Sequence, residues 1–187
     1  MKPARRNLLL GAALLLAFIG PSHSQDLAYD MAVSKWKSYE DVAQWLDGNF
    51  TFDRGRLQTI LGRVRQSGPA GLLARKPSKT YELGSGYCTD SAKLAIDALN
   101  RINPAYQARY VFIRNQAGPA QHWVAGFHLD GKVMVMDYGA SPEWSAMRGV
   151  HGPYESLSEY ADFLATLRIR GFAVGTVEWR DMPGQED

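Results

Sequence analysis

Gly84-Ser85-Gly86-Tyr87-Cys88-Thr89-Asp90 is the segment around which the chain is organised, because it holds the only cysteine among 187 residues. Two glycines precede the cysteine, and the residues after it, through Leu99, follow a helical pattern. A thiol in the first turn of a helix lies where backbone N–H groups are unpaired and the helix dipole is positive, which favours the nucleophilic thiolate. We therefore predict that Cys88 is catalytic. The competing interpretation is a small apolar residue on a buried helix face.

Residues 1–24 have the composition of a signal peptide. Basic residues precede a short apolar run from Leu8 to Ile19, and small residues up to Ser24 offer a cleavage site. The run is too short for a comfortable membrane span. We therefore predict a periplasmic or secreted protein that meets the membrane only through this segment before cleavage. Cleavage would remove three basic and no acidic residues, so the formal charge would change from +2 to −1.

Composition and export limit what residues 25–187, predicted as a single domain, can do. The chain is 45% hydrophobic and 21% charged, which is ordinary for a globular protein. Its basic character belongs largely to the signal peptide, so we predict no nucleic-acid partner. Exported proteins usually hold their cysteines in disulfides. A single cysteine is instead inert and buried, a redox sensor or intermolecular bridge, or a reactive thiol.

The hydrophobic pattern predicts an α+β fold in which an antiparallel sheet packs on helices. Helices are expected after Ser38, after Asp53, from Cys88 and after Ser156, where polar side chains can cap them. The arginines at 54, 56, 63 and 65 are assigned to a solvated helix face, with a basic ligand-binding patch as the alternative. The predicted strands are Tyr106–Arg114, His122–Leu129, Lys132–Tyr138 and Phe172–Trp179, with a long loop at Gly139–Pro153.

A two-residue turn at Asp130-Gly131 allows the second and third strands to be aligned. Counting back from this turn pairs Val124 with Asp137, so His122 and Asp137 lie on the same face as diagonal neighbours. That separation is within reach of an imidazole–carboxylate hydrogen bond. Gly139, opposite His122, is expected to leave room for the ring.

These residues provide a nucleophile, a base and an orienting carboxylate in Cys88, His122 and Asp137. His128 is expected at the rim of the sheet, and His151 in a loop with a structural or substrate-contact role. Asp90 is interpreted as a helix-start residue. His122, His128 and Asp137 lack a recognised metal-ligand spacing, so we predict no metal or other cofactor.

Several of these segments together resemble the core of the transglutaminase-like superfamily, a branch of the papain-like cysteine enzymes. They are Gly86-Tyr87-Cys88 opening a helix, the strand at Ala108–Val111, His122-Trp123-Val124 and the strand ending in Asp137. The resemblance covers residues 84–139 and implies a nucleophile helix packed on an antiparallel sheet. It implies Cys88 as nucleophile, His122 as general base and Asp137 as its partner. The large animal crosslinking enzymes carry calcium ligands and accessory β-domains that are not evident here.

The resemblance leaves the reaction open, because the superfamily includes proteases, amidases, crosslinking enzymes and inactive relatives. We expect hydrolysis of peptide or amide bonds in a peptide or protein substrate, with transglutaminase activity or a non-catalytic binding module as alternatives. Tyr81 and Tyr87 are candidate oxyanion donors by proximity in sequence. Trp123, Tyr138 and Trp144 are candidates for lining a peptide cleft or for core packing. The sequence does not predict an oligomeric state.

Overall fold

A computed structural model of the chain describes residues 21–181 and 184–186. Most of the predicted signal peptide lies outside these residues. The described part forms six α-helices: α1 (Pro21–Val33), α2 (Tyr39–Asn49), α3 (Arg54–Ser67), α4 (Pro77–Leu83), α5 (Cys88–Ile102) and α6 (Leu157–Thr166). It also contains nine strands: β1 (Thr51–Phe52), β2 (Leu73–Ala74), β3 (Ser85–Gly86), β4 (Arg109–Asn115), β5 (His122–Leu129), β6 (Lys132–Asp137), β7 (Gly149–Tyr154), β8 (Val174–Trp179) and β9 (Gly184–Gln185). None of the described helices is both long and apolar enough to cross a membrane.

Polar side chains begin the helices where the sequence predicts them. Asp53 caps α3, because its Oδ1 accepts a hydrogen bond from the backbone N–H of Arg56 at 2.9 Å. Ser156 caps α6 in the same way, through the backbone N–H of Ser158 at 3.2 Å. α4 begins with Pro77, which has no N–H to leave unpaired and a backbone angle suited to a first turn.

The central sheet is antiparallel and has the strand order β7-β6-β5-β4-β8. β5 and β6 form the predicted hairpin, with Leu129 opposite Lys132 and His128 opposite Val133. Asp130 and Gly131 both have positive φ, 51° and 78°, as a tight turn between twisted strands requires. The predicted α+β fold and the hairpin register are confirmed.

One helix covers each face of this sheet. α5 packs on the face that carries Ala125, Phe127 and Met136, all of which are buried. α6 packs on the opposite face, and the buried residues of that layer are Val111, Ile113, Val124, Val133, Val135, Leu157, Tyr160 and Leu164. The alternation along β4 is as predicted, because Val111 and Ile113 face α6, whereas Tyr110 and Phe112 lie in the cluster beside α5.

The prediction of a long loop over Gly139–Pro153 was wrong at its C-terminal end, where the chain forms a strand. This segment contains a 3₁₀ turn (Pro142–Met147) and β7, which pairs antiparallel with β6 and forms one edge of the sheet. β7 has the sequence Gly-Val-His-Gly-Pro-Tyr, which shows neither alternation nor a run of β-branched residues. Its conformation comes from hydrogen bonding to β6, which local sequence propensity does not reveal.

Candidate active site

The N-terminus of α5 meets the end of the sheet at Gly139, two residues after β6. A Cβ at this position would lie 2.5 Å from the Cα of Cys88, and the three nearest atoms all belong to Cys88. Only glycine therefore permits the contact between the two segments. Gly139 was expected to leave room for the ring of His122, but the atoms nearest to a Cβ at this position are those of Cys88.

His122 is the first residue of β5, and its Nε2 lies 2.6 Å from Oδ2 of Asp137. The two side chains are only 3% and 0% exposed. The other oxygen of Asp137 accepts backbone hydrogen bonds from Gly139 and Ala140, each at 3.1 Å. The carboxylate is therefore held from both sides. Nδ1 of His122 remains available to the side chain of Cys88, with which the imidazole also interacts.

The charge state of His122 reflects opposing effects. Burial lowers the pKa of His122, but the charge of Asp137 and its hydrogen bond raise it, as do a hydrogen bond and charge interaction with Cys88. The net result is a pKa of about 10. The imidazolium form is therefore favoured at neutral pH, next to the single thiol of the chain.

Cys88 itself is 1% exposed and belongs to a small buried cluster at the start of α5. The other buried members of the cluster are Ala92, Tyr110, Phe112 and Trp123. The pKa of the neighbouring Tyr87 is raised, first by the charge of Cys88 and then by burial and a hydrogen bond to Cys88. Tyr87 therefore keeps its proton and is a hydrogen-bond donor beside the sulfur.

A cleft of about 360 Å³ opens beside these residues. It is lined by Phe52, Leu57, Tyr87, Ala120, Gln121, His122, Gly139, Ser141, Glu143, Trp144, Arg170 and Gly171. The ring of Trp144 stands perpendicular to that of His122, with centroids 5.7 Å apart. A larger pocket of about 630 Å³ lies at residues 114–118 but contains none of the predicted site residues. We take the smaller cleft as the candidate active site because His122 lines it.

Comparison with known proteins identifies the family of the chain. A model of the transglutaminase-like domain family matches residues 23–144. The chain belongs to this family. The match includes Cys88, His122 and Asp137, and it begins well before residue 84, where the resemblance in the sequence starts. A solved structure described as "Crystal structure of a TGase" is 16% identical and covers 72% of this chain, with a TM-score of 0.42. This chain covers 39% of that structure's chain. A search of curated proteins found no match.

The candidate aromatic residues of this family member are divided between the cleft and the core. Tyr87 and Trp144 line the cleft. Trp123 lies in the buried cluster with Cys88, with its ring 5.0 Å from that of Phe112. Tyr138 is buried beneath the guanidinium of Arg148, which lies 4.8 Å from the ring centroid. Neither Trp123 nor Tyr138 is among the residues that line the cleft.

Tyr81 does not lie with Cys88. Its ring stacks on Trp45 at 4.7 Å and also contacts Trp36 and Tyr29. This aromatic cluster joins α4 to α1 and α2, so proximity in sequence did not predict proximity in space. The structure does not support Tyr81 as an oxyanion donor.

His128 and His151, the other two histidines considered as site candidates, have packing roles in the structure. His128 stacks on Trp179 at 5.6 Å, six residues along β5 from His122. His151 lies on β7, where its Nε2 is 2.7 Å from the carbonyl oxygen of Met147 and its ring packs on Phe163. Within residues 21–181 and 184–186, no three histidine, cysteine, aspartate or glutamate side chains are grouped to hold a metal ion.

The prediction that Arg56 lies on a solvated helix face was wrong. Arg56 is 4% exposed rather than solvated, and its guanidinium binds the buried carboxylate of Asp90 through two hydrogen bonds. The sequence contained little indication that Arg56 is buried, because a helix that also carries Arg54, Arg63 and Arg65 resembles a basic solvent-facing surface. The useful indication was Asp90 itself, since a carboxylate in a helix turn that starts at a buried thiol requires a partner.

Proposed function

We propose that this protein is an exported cysteine-dependent enzyme that cleaves peptide or amide bonds, with Cys88, His122 and Asp137 as its catalytic triad. The observation that carries the proposal is the buried hydrogen bond of 2.6 Å between Nε2 of His122 and Oδ2 of Asp137, beside the helix that begins at Cys88. It leaves Nδ1 of His122 for proton exchange with the thiol and the substrate. This division of the ring nitrogens is what a base with an orienting partner needs.

In the first half of the reaction, Sγ of the Cys88 thiolate attacks the substrate carbonyl carbon and forms a C–S bond. The carbonyl oxygen becomes an oxyanion, for which the backbone N–H of Cys88 and the hydroxyl of Tyr87 are candidate donors. The C–N bond then breaks, and the departing amine takes the proton of imidazolium Nδ1 of His122. The product of this half is a thioester on Cys88.

In the second half, water attacks the thioester carbonyl and gives a proton to Nδ1 of His122. The C–S bond breaks, the carboxylic acid product leaves, and the thiolate of Cys88 is restored beside the imidazolium. Asp137 remains ionised throughout and stabilises the protonated ring. The raised pKa of His122 supports this scheme, because the imidazolium favours the thiolate of its neighbour.

The cleft suits an extended peptide better than a small polar ligand. Phe52, Leu57 and Trp144 form apolar parts of its lining near His122, and its volume of about 360 Å³ can take one or two side chains. We therefore propose a peptide or protein substrate with an apolar side chain next to the scissile bond.

Transfer to an amine is the second candidate, because the same thioester can react with a lysine side chain. Arg170 lines the cleft and disfavours a second cation there. Glu143, the carboxylate in the described lining, is already paired with Arg54. This charge distribution favours water over a cationic acceptor.

The first test is the rate at which iodoacetamide alkylates Cys88 as a function of pH. We expect rapid labelling of the wild type at about pH 6, well below the ordinary thiol pKa of about 8.5. His122→Ala should slow this labelling at least about 10-fold, whereas the matched control His128→Ala should label like the wild type. Equal, slow labelling of all three proteins would exclude an activated thiol. Non-reducing electrophoresis then separates an inert cysteine from one that forms intermolecular disulfides.

The second test identifies the acceptor. A peptide mixture is incubated with the protein in ¹⁸O-labelled water that contains a primary-amine probe, and the products are analysed by mass spectrometry. Hydrolysis places ¹⁸O in new carboxyl termini, whereas transfer places the amine on the substrate. Cys88→Ala should give neither product. If Cys88 is reactive but the protein gives no product with an extract of exported proteins, the result would favour a non-catalytic binding module.

A further inference from the structure

A second buried ion pair lies behind the nucleophile, between Arg56 of α3 and Asp90 of α5. Nε of Arg56 is 3.0 Å from Oδ2 of Asp90, and Nη2 is 3.1 Å from Oδ1. The side chains are 3% and 0% exposed. This is a two-pronged contact between a planar guanidinium and a planar carboxylate, which fixes orientation as well as distance.

Asp90 connects this pair to the backbone that carries the thiol. Its Oδ2 also accepts a hydrogen bond from the N–H of Tyr87 at 2.9 Å, and its Oδ1 accepts one from the N–H of Arg75 at 2.7 Å. The carboxylate thus has four donors, one of them on the residue directly before Cys88. Gly86 permits this approach, since a Cβ there would lie 2.8 Å from the Cβ of Asp90.

Arg56 connects the same carboxylate to the rest of the fold. Its Nη2 donates to the carbonyl oxygen of Leu73 at 2.8 Å, and its Nη1 lies 2.6 Å from Oε1 of Glu186. Glu186 also pairs with Arg63. Leu73 belongs to β2 and pairs with Gly184 of β9. One side chain therefore joins α3, β2 and the segment after β9 to the start of the nucleophile helix.

We propose that Arg56 is a positioning residue for Cys88 and acts through Asp90. This proposal rests on the proposed function, because it takes Cys88 as the nucleophile. Arg56 orients the carboxylate of Asp90, which holds the backbone of Tyr87. The Tyr87–Cys88 segment supplies the thiolate and both candidate oxyanion donors, so an error in its position would affect every step of the reaction.

The pair also has an electrostatic consequence for the thiolate. Asp90 carries a negative charge two residues from Cys88, and a negative charge alone would oppose ionisation of the thiol. Arg56 neutralises that charge at close range while the hydrogen bonds to Tyr87 and Arg75 remain. Stability alone does not account for such a pair, because replacing both partners with apolar residues of similar size is often neutral or stabilising.

The test measures the rate of Cys88 alkylation against pH in variants of the full chain. Arg56→Lys keeps the charge but loses the two-pronged geometry, and the double variant Arg56→Met/Asp90→Leu removes both charges from the buried site. We expect alkylation to be roughly 10- to 100-fold slower in the double variant and less affected in Arg56→Lys. We also expect the pH profile of both variants to move to higher pH, because a displaced Tyr87–Cys88 segment weakens the contact between the thiolate and the imidazolium of His122. Arg101→Met removes a more exposed arginine that pairs with Asp30 and should match the wild type.

The outcomes separate this proposal from the proposed function. A folded double variant that labels at the wild-type rate with the wild-type pH profile would overturn the positioning role while leaving the triad intact. If the double variant does not fold, Arg56→Lys decides. Unchanged labelling of Arg56→Lys would overturn the positioning role, whereas slower labelling would support it. If wild-type labelling does not depend on His122, the triad fails, and the positioning role fails with it.

Discussion

Two buried ion pairs flank Cys88, and they differ in one chemical respect. Asp137 pairs with the imidazole of His122, whereas Asp90 pairs with the guanidinium of Arg56. Each carboxylate side chain is fully buried, and each also accepts two backbone hydrogen bonds. An imidazole can give up its proton in the working range of an enzyme, but a guanidinium cannot. One pair is therefore suited to proton transfer, and the other to fixed geometry.

The pKa shifts of the two cations show the same contrast. For both His122 and Arg56, burial lowers the pKa and the carboxylate partner raises it, and in both the net shift is upward. For His122 the result is about 10, so the ring loses its proton in solution more basic than about pH 10 and can also give it to a departing group. For Arg56 the upward shift only strengthens a charge that is permanent under all working conditions.

The largest expected effect comes from breaking the titratable pair. His122→Ala should reduce turnover of a cleaved peptide by about 10⁴-fold, because both the proton donor and the positive charge beside the thiol are lost. Cys88→Ala should remove turnover entirely. Product formation is measured by mass spectrometry at saturating enzyme, with His151→Ala as a control that alters a histidine outside the cleft. Comparable turnover in His122→Ala and the wild type would contradict the assignment of the base.

Removing only the cation of the fixed pair should also destabilise the fold. Arg56→Met leaves Asp90 buried without a counter-charge, so we expect the free energy of unfolding to fall by about 3–5 kcal/mol. Arg101→Met removes a salt bridge in which the arginine is 39% and Asp30 55% exposed. That control should cost less than about 1 kcal/mol. Urea unfolding followed by tryptophan fluorescence measures both, and equal losses would show that burial of the Arg56 pair is energetically unimportant.

The pH dependence of the free energy of unfolding distinguishes the two pairs while Cys88 and His122 both remain in place. His122 binds its proton more tightly in the folded protein, with a pKa of about 10, than in the unfolded chain, where the pKa is about 6.5. Its contribution to stability is therefore complete below about pH 6.5, declines as the pH rises, and is lost above about pH 10. We expect a decline on the order of a few kcal/mol across this window, and a much smaller one in Asp137→Asn.

The fixed pair provides the control for that titration. Arg56 keeps its proton throughout the window, so the variant Arg56→Met/Asp90→Leu should retain the decline of the wild type. Urea midpoints measured between about pH 6 and pH 10 give the comparison. A decline of the same size in Asp137→Asn would show that groups other than His122 cause it.

The titratable pair could be predicted from the sequence, and the fixed pair could not. His122 and Asp137 lie on two strands joined by a two-residue turn, and such a turn sets the register over the whole hairpin. The residues that flank the turn therefore determine which side chains share a face. The helix that starts at Cys88 could also be predicted from local sequence, because the preceding glycines and the apolar stripe lie within one segment.

The partnership of Arg56 with Asp90 depends on how α3 packs against α5, and the sequence gives no register for that contact. The same limit applies to Tyr81, whose position is set by packing among α1, α2 and α4. β7 was missed because its conformation depends on pairing with β6. Local patterns thus predicted α2, α3, α5, α6 and the hairpin, whereas contacts between segments distant in the sequence needed the structure.

The smallest expected effects come from two glycines, Gly139 against Cys88 and Gly86 against Asp90. Ala at 139 would place a Cβ 2.5 Å from the Cα of Cys88, whereas Ala at 86 would place one 2.8 Å from the Cβ of Asp90. Each clash should cost about 1–3 kcal/mol. Gly62→Ala, with no atom within 4 Å and a helical position, should instead stabilise by about 0.5–1 kcal/mol.

The alkylation profiles of these variants report on the position of Cys88. Gly139→Ala displaces the nucleophile directly, because backbone atoms cannot rotate away, and it should slow labelling at every pH. Gly86→Ala acts on Asp90, whose side chain cannot turn aside without losing Arg56, so it should reproduce the profile of Arg56→Lys. If Gly86→Ala lowers the urea midpoint but labels like the wild type, the Asp90 side of the helix contributes stability and not position.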